Sequence, residues 1–263
     1  MPDTQPHDNG ARLWALVAEH AATRGRRAGV ADACAVAVTQ AHLSGAGVTM
    51  MTRAHSGRVV CVTDDVSARV EELQLTLGEG PCMDAHASSG PVLSADLRGP
   101  EAAHRWPAFA PAAAAAGAAA LFAFPLRLGT LRLGVMDLYH DEPRPLLSGE
   151  LRDALILADA ATLLLVGQET VPATDADGAE AHDGLFRERE GYRAEIDQAT
   201  GMVSVQLGTG IDDAFARLRG YAYAHDHSLT DVARDVVARR LRFVTDPDGD
   251  PNDRGAVRNG GDR

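Results

Sequence analysis

The chain has no lysine; all 25 of its basic residues are arginine. Lysine Schiff-base chemistry and a phosphate-loop lysine are therefore excluded. Cysteine is scarce as well, with Cys34, Cys61 and Cys82 far apart and no CxxC pair. An odd, dispersed set argues against a disulfide framework and for a reducing compartment. No histidine stands at ligand spacing from a cysteine, so spacing gives no metal site. No apolar run reaches about 18 residues, so no transmembrane helix and no membrane partner are expected. The polar, acidic segment Met1–Gly10 lacks a signal-peptide pattern, which makes a cytoplasmic protein the simple expectation. Excess positive charge is missing too: the net charge is −12, and non-specific nucleic-acid affinity comes from neutralising phosphates. No internal repeat is present.

What is there is the material of an ordinary globular protein, 45% hydrophobic and 24% charged over 263 residues, enough for one large domain or two modest ones. A polar tail (1–10) is followed by helical spacing over Arg12–Ala22 and Ala31–Leu43. The period then changes to β-rich runs at Gly47–Arg53 and Arg58–Thr63 around a turn containing Gly57. A helix over Asp64–Leu75, a loop, a short strand at Pro91–Ala95 and an alanine-rich helix ending near Gly117 come next. A second hairpin, Ala119–Leu128 with Leu131–Tyr139, turns about Gly129 and Thr130. A long apolar helix, Gly149–Gly167, closes the segment. This order describes an α+β domain over 11–168, an antiparallel sheet flanked by helices.

Residues 169–184 are rich in Asp, Ala and Gly and read as a flexible acidic linker. Beyond it, 185–245 divides into three short helices, with a polar tail at 246–263. The first helix places Tyr192, Ile196, Ala199 and Val203 on one face and stops at Gly208. The second opens at Thr209–Asp212 with a capping-box-like start and lines up Ala214, Phe215, Leu218 and Ala222. The third opens at Ser228–Asp231 and continues through Val232, Ala233, Val236, Val237 and Leu241. Helices this short need a shared core.

Two stretches carry family resemblances. Ile196, Gln198–Ala199, Gly201–Met202, Ala214–Phe215, Leu218–Arg219, Leu229–Ala233 and Val236–Val237 together resemble an ANTAR domain. The resemblance implies a helical output module that binds hairpins in nascent transcripts, as a homodimer, and so stops a terminator from forming. Leu77–Ala85, Asp96, Arg105–Pro107, Pro125–Leu126 and Leu133–Leu138 resemble a GAF domain over Leu13–Val166. That implies a sensory module, with a small-molecule signal open and no cofactor specified. Together they imply a GAF and ANTAR transcription antitermination regulator that is not an enzyme.

Residues 185–244 hold nine arginines against nine carboxylates, so RNA affinity has to come from a local arginine face and from shape. The candidates for RNA contact are Thr200, Arg217, Arg219, His225, His227, Arg234, Arg239 and Arg240, with Arg242 beside them. Arginine suits the role because its planar fork grips phosphate or stacks on a base. The family often has basic residues at Thr200 and in the turn His225–Ser228, so histidine there would make binding pH-dependent. Leu185, Tyr192, Ile196 and Ala199 could form a seam between two chains.

In the sensor-like half, Cys82, Asp96, Arg105 and Trp106 are the pocket candidates, weighed against packing for Cys82 and Trp106 and a turn cap for Asp96. Two other functions stay open. The helix, turn and helix over Ile211–Leu241 would suit a DNA-binding regulator. Cys82 could instead be the thiol of a GAF-type methionine sulfoxide reductase, which requires Cys61 or Cys34 within disulfide reach.

Overall fold

A computed structural model describes residues 6–51, 57–169, 183–225, 227–244 and 257–259, with side chains placed over 9–51, 57–167, 195–225 and 227–244. Most of the expected linker (169–184) and much of both expected tails lie outside these residues. The chain divides into two compact units, Met1–Gly178 and Ala179–Arg263.

The first unit is built on five antiparallel strands in the order β2-β1-β5-β4-β3. They are β1 (Gly45–Met51), β2 (Gly57–Val62), β3 (Val92–Ser94), β4 (Ala120–Leu128) and β5 (Leu131–His140). Helices α2 (Val30–Gln40) and α7 (Ser148–Glu169) pack together against one face, with α1 (Pro6–Ala22) behind them. Helices α3 (Asp65–Leu77) and α4 (Pro81–Ser88) cover the other, backed by α5 (Pro100–Arg105) and α6 (Phe109–Ala116). Both faces are buried, which is why β4 and β5 read as nearly continuous apolar runs. Strand alternation sorts their side chains. Val135 and Tyr139 join Leu121, Ala123, Val70, Met83, Trp106 and Phe109 in the core under α3 and α4. Phe122, Phe124, Met136 and Leu138 are equally buried and, being one residue out of step, face the α2 and α7 side.

The expected α+β architecture is present, with three local differences. Helix α1 starts at Pro6, inside the segment expected as a tail. Helix α4 stands where a loop was expected, because Pro81 at a first helical position starts a helix as readily as it makes a turn. Phe109–Ala116 is preceded by a separate short helix, α5.

The second unit holds α8 (Asp183–Leu207), α9 (Ile211–Ala224) and α10 (Leu229–Val237) around one core. Ala199 and Val203 of α8 meet Phe215 and Leu218 of α9 and Val232 and Val236 of α10 there. Each large apolar side chain so buried contributes about 1.5–3 kcal/mol, which nine residues of α10 could not supply alone. Gly208 ends α8 in the left-handed region at φ 63°, and the Ser228 hydroxyl caps α10 by accepting from Asp231 N–H at 3.0 Å. The third helix is shorter than expected: Arg239 turns left-handed at φ 60°, and Leu241–Phe243 forms β6 instead. Strand β6 pairs with β7 (Val257–Asn259), which lies in the segment expected as a polar tail. Ile196 and Ala199, expected on a seam between chains, pack into this unit's own core; the side chains of Leu185 and Tyr192 are outside the described ones.

Candidate functional site

On α9 the apolar set Ala214, Phe215, Leu218 and Ala222 is buried, leaving Arg217, Tyr221 and His225 at every fourth residue along one side. The His225 ring stacks on Tyr221 with centroids 3.9 Å apart and planes at 26°. Its Nδ1 donates to the Tyr221 carbonyl oxygen at 2.9 Å. His227 continues the row, 6.5 Å beyond at 27°, and Phe243 braces Tyr221 edge-on at 5.7 Å. Tyr223 is 62% exposed beside them. A ladder of flat rings at the end of a helix, with arginine one turn before it, offers stacking surface and positive charge together.

The arginines differ in what they can offer. Arg217, Arg239 and Arg242 are exposed and make no ion pair with a described residue. Arg240 is held by Asp235 through two bonds of 2.7 and 2.9 Å, and Arg234 pairs with Asp231 and Glu195. Arg219 is half-buried over the Phe215 ring, 5.4 Å from its centroid. Burial lowers its pKa, and its Nε has no hydrogen-bond partner. Thr200 is a correction to the expected face: it is buried, and its hydroxyl donates to the Ile196 carbonyl one turn back at 2.7 Å. Nothing of it is left to meet a ligand.

In the first unit the four pocket candidates do not gather at one place. Asp96 is exposed and accepts from Arg98 N–H in its own turn at 2.8 Å. Arg105 and Trp106 both donate to Asp84 Oδ2, at 2.7 and 3.1 Å, with the guanidinium 4.8 Å over the indole. The Trp106 side chain otherwise packs in the core. Cys82, two residues before Asp84 in α4, is in the same core cluster as Trp106 and lies beside two carboxyls absent from the expected set.

Those two are Glu71 of α3 and Asp137 of β5. Their ligating atoms and Cys82 Sγ all lie within 4.8 Å of one another, each residue buried. Asp137 is the period-two mate of Val135 and Tyr139, so it points under α3 and α4. Gln74, one turn after Glu71, donates to Asp137 Oδ2 and accepts from Cys82 N–H, both at 2.7 Å. The Thr49 hydroxyl donates to Glu71 Oε2 at 2.7 Å. Two glycines make this arrangement possible. A Cβ at Gly47 would overlap the Glu71 carboxyl, and Gly80, at φ 125°, would bring a Cβ to 2.6 Å from Gln74 Oε1. The Glu71 and Asp137 carboxyls also hydrogen-bond to each other.

Burial governs the protonation of the cluster. It pushes Asp137 up to about 6, against bonds from Gln74, Glu71 and Cys82 that pull it down. Burial, with the Asp137 charge added, holds Glu71 well above the carboxylate range. The Cys82 thiol is raised by burial and then by both carboxyls. The other cysteines meet each other: Cys34 Sγ and Cys61 Sγ are 3.0 Å apart. Sequence spacing gave no metal site because Glu71, Cys82 and Asp137 come from three different elements. A signal for the acids was nonetheless present: Glu71 and Gln74 share the inward stripe of α3 with Val70, and Asp137 interrupts an apolar strand.

Residues 186–237 match the model of the ANTAR domain, so the chain carries that domain in its second unit. No curated protein matches the chain significantly. Among solved structures, the GAF domain of a phosphoenolpyruvate-protein phosphotransferase from Coxiella burnetii is 13% identical, with a TM-score of 0.45, covering 61% of this chain and 96% of that one. A GAF domain from an Acinetobacter phosphoenolpyruvate-protein phosphotransferase is 7% identical, with a TM-score of 0.43, covering 64% and 97%. A free methionine-R-sulfoxide reductase from Neisseria meningitidis, in complex with its substrate, is 14% identical, with a TM-score of 0.43, covering 65% and 98%.

Proposed function

We propose that this chain is a signal-responsive transcription regulator whose ANTAR domain binds hairpin loops in nascent RNA and keeps a terminator from forming. The observation that carries the reading is the row Arg217, Tyr221 and His225 along α9 and its C-terminal cap, with Arg217 and His225 exposed, Tyr221 half-buried and the two rings stacked at 3.9 Å. RNA loops present unstacked bases, and a base can extend a ring ladder while arginine holds the adjacent phosphate. The near-neutral unit then relies on local geometry in place of bulk charge. The first unit, α+β and GAF-like, receives the signal, and two chains act together on one transcript. A signal shifts the output only by its differential affinity for the two states.

The thiol-reductase reading finds little support in a Cys82 thiol that is buried and raised in pKa, since the thiolate is the nucleophile. A gel shift of the full chain against stem-loop RNA and a duplex DNA of the same sequence tests the proposal. Retention of the stem-loop, lost when the loop bases are deleted, is the expected result. A preference for the duplex would transfer the assignment to DNA binding.

A further inference from the structure

We propose that Cys34 and Cys61 form a reversible redox site in the first unit, which peroxide-class oxidants convert to a disulfide. The two Sγ atoms are 3.0 Å apart, about 1 Å beyond a disulfide bond length. Cys34 comes from the buried side of α2, which packs on β1 and β2. Cys61 comes from β2, the strand at one edge of the sheet. The pair thus lies across the sheet from Cys82, which packs in the core under α3 and α4.

The edge strand gives the oxidant its way in. Val48 of β1 pairs with Cys61 and Thr49 with Val59, which leaves Val60 as the extra residue of a bulge. Val60 and Val62, on either side of Cys61, are half-buried. An edge strand with an interrupted ladder opens locally at lower cost than the central strands. Cys61 is therefore uncovered first, and Cys34, on the helix behind it, acts second. The Cys34 thiol is pushed up by its bond to Cys61 and by burial, so it keeps its proton while Cys61 reacts.

Hydrogen peroxide transfers one oxygen to Cys61 Sγ, and its other oxygen leaves as water, giving a sulfenic acid. Cys34 Sγ then attacks that sulfur; the S–O bond breaks, and the hydroxyl leaves as a second water with the Cys34 proton. Together the thiols lose two electrons and two protons while one peroxide becomes two waters. A dithiol reductant reverses the change by thiol–disulfide exchange. The chemistry is complete within the first unit and does not depend on the RNA-binding reading.

The test treats the folded full chain with hydrogen peroxide, quenches it in acid, alkylates it in denaturant and maps the peptides. Expected is a Cys34–Cys61 disulfide that forms about tenfold or more ahead of any oxidation of Cys82 and is reversed by dithiothreitol. In Cys34→Ser, Cys61 should stop at a sulfenic acid that a dimedone-type diketone traps. The wild-type chain gives its answer without any substitution. Survival of both thiols after Cys82 has been oxidised, or oxidation of each separately to a sulfinic acid, overturns the proposal.

Discussion

The phenol ring of Tyr221 lies against the His225 imidazole, centroids 3.9 Å apart, at the end of α9. Phe243 also meets Tyr221 edge-on, and Tyr221 is half-buried against the core of the second unit while His225 is exposed.

Removal of that platform should weaken RNA binding without unfolding the unit. Base stacking on an aromatic side chain is worth about 1–3 kcal/mol per base. Tyr221→Ala should therefore raise the Kd for a stem-loop about tenfold or more, and Tyr221→Phe should stay near wild type. Fluorescence anisotropy with a labelled hairpin measures both. Equal loss in the phenylalanine variant would move the role from the ring to the hydroxyl.

Arg217 and Arg219 should separate binding from stability. Arg217 is exposed, so Arg217→Ala should weaken hairpin binding and leave thermal unfolding unchanged. Arg219 lies over Phe215, and its removal also uncovers apolar surface. Arg219→Ala should destabilise the second unit by about 0.5–1 kcal/mol and weaken RNA binding as well. Calorimetry beside anisotropy checks the pair; identical stability losses would contradict the difference in burial.

Asp137 should make the first unit's stability depend on pH in a stated direction. Its carboxyl titrates near 3.8 when unfolded and is raised to about 6 when folded. The folded state thus holds the extra proton between those values, and stability falls as pH rises through them. The shift corresponds to about 3 kcal/mol. Asp137→Asn removes this dependence, so the variant should gain on wild type by roughly that amount between pH 4 and pH 7. Urea unfolding in chelator, followed by tryptophan fluorescence, reports it, since Trp14 and Trp106 both lie in the first unit. A constant difference between the two proteins across that range would contradict a buried acid at position 137.

Oxidation should select the pair already in contact. Cys34 Sγ and Cys61 Sγ are 3.0 Å apart, within about 1 Å of a disulfide bond length. An azo-type thiol oxidant, reduced to the hydrazine as it takes up two electrons and two protons, should link Cys34 to Cys61 and leave Cys82 as a thiol. Peptide mapping without reduction identifies the bond. A disulfide containing Cys82 would instead revive the reductase reading.

Much of the architecture was legible because it rests on local periodicity. Strand alternation in Leu131–Tyr139, the stop at Gly208 and the cap at Ser228 are written within a few residues each, and so are the residue patterns of the two resemblances. Short-range signals failed where two outcomes share one signature. Gly80–Pro81 suits a turn and a helix start alike, and Arg239 ends α10 through a backbone turn that nothing in Val237–Leu241 announces.

The sequence by itself determined the α+β unit followed by a three-helix unit, and the apolar set Ala214, Phe215, Leu218 and Ala222 that α9 buries, because helix and strand periods fix side-chain direction. Only the tertiary structure decided that Thr200 is inside, that Arg234 and Arg240 are already paired, and that Cys34 meets Cys61. It alone brought Glu71, Cys82 and Asp137 to one point. The physical reason is that burial and pairing depend on which elements the core draws together, and residues 66 positions apart, such as Glu71 and Asp137, leave no spacing that local chemistry can read.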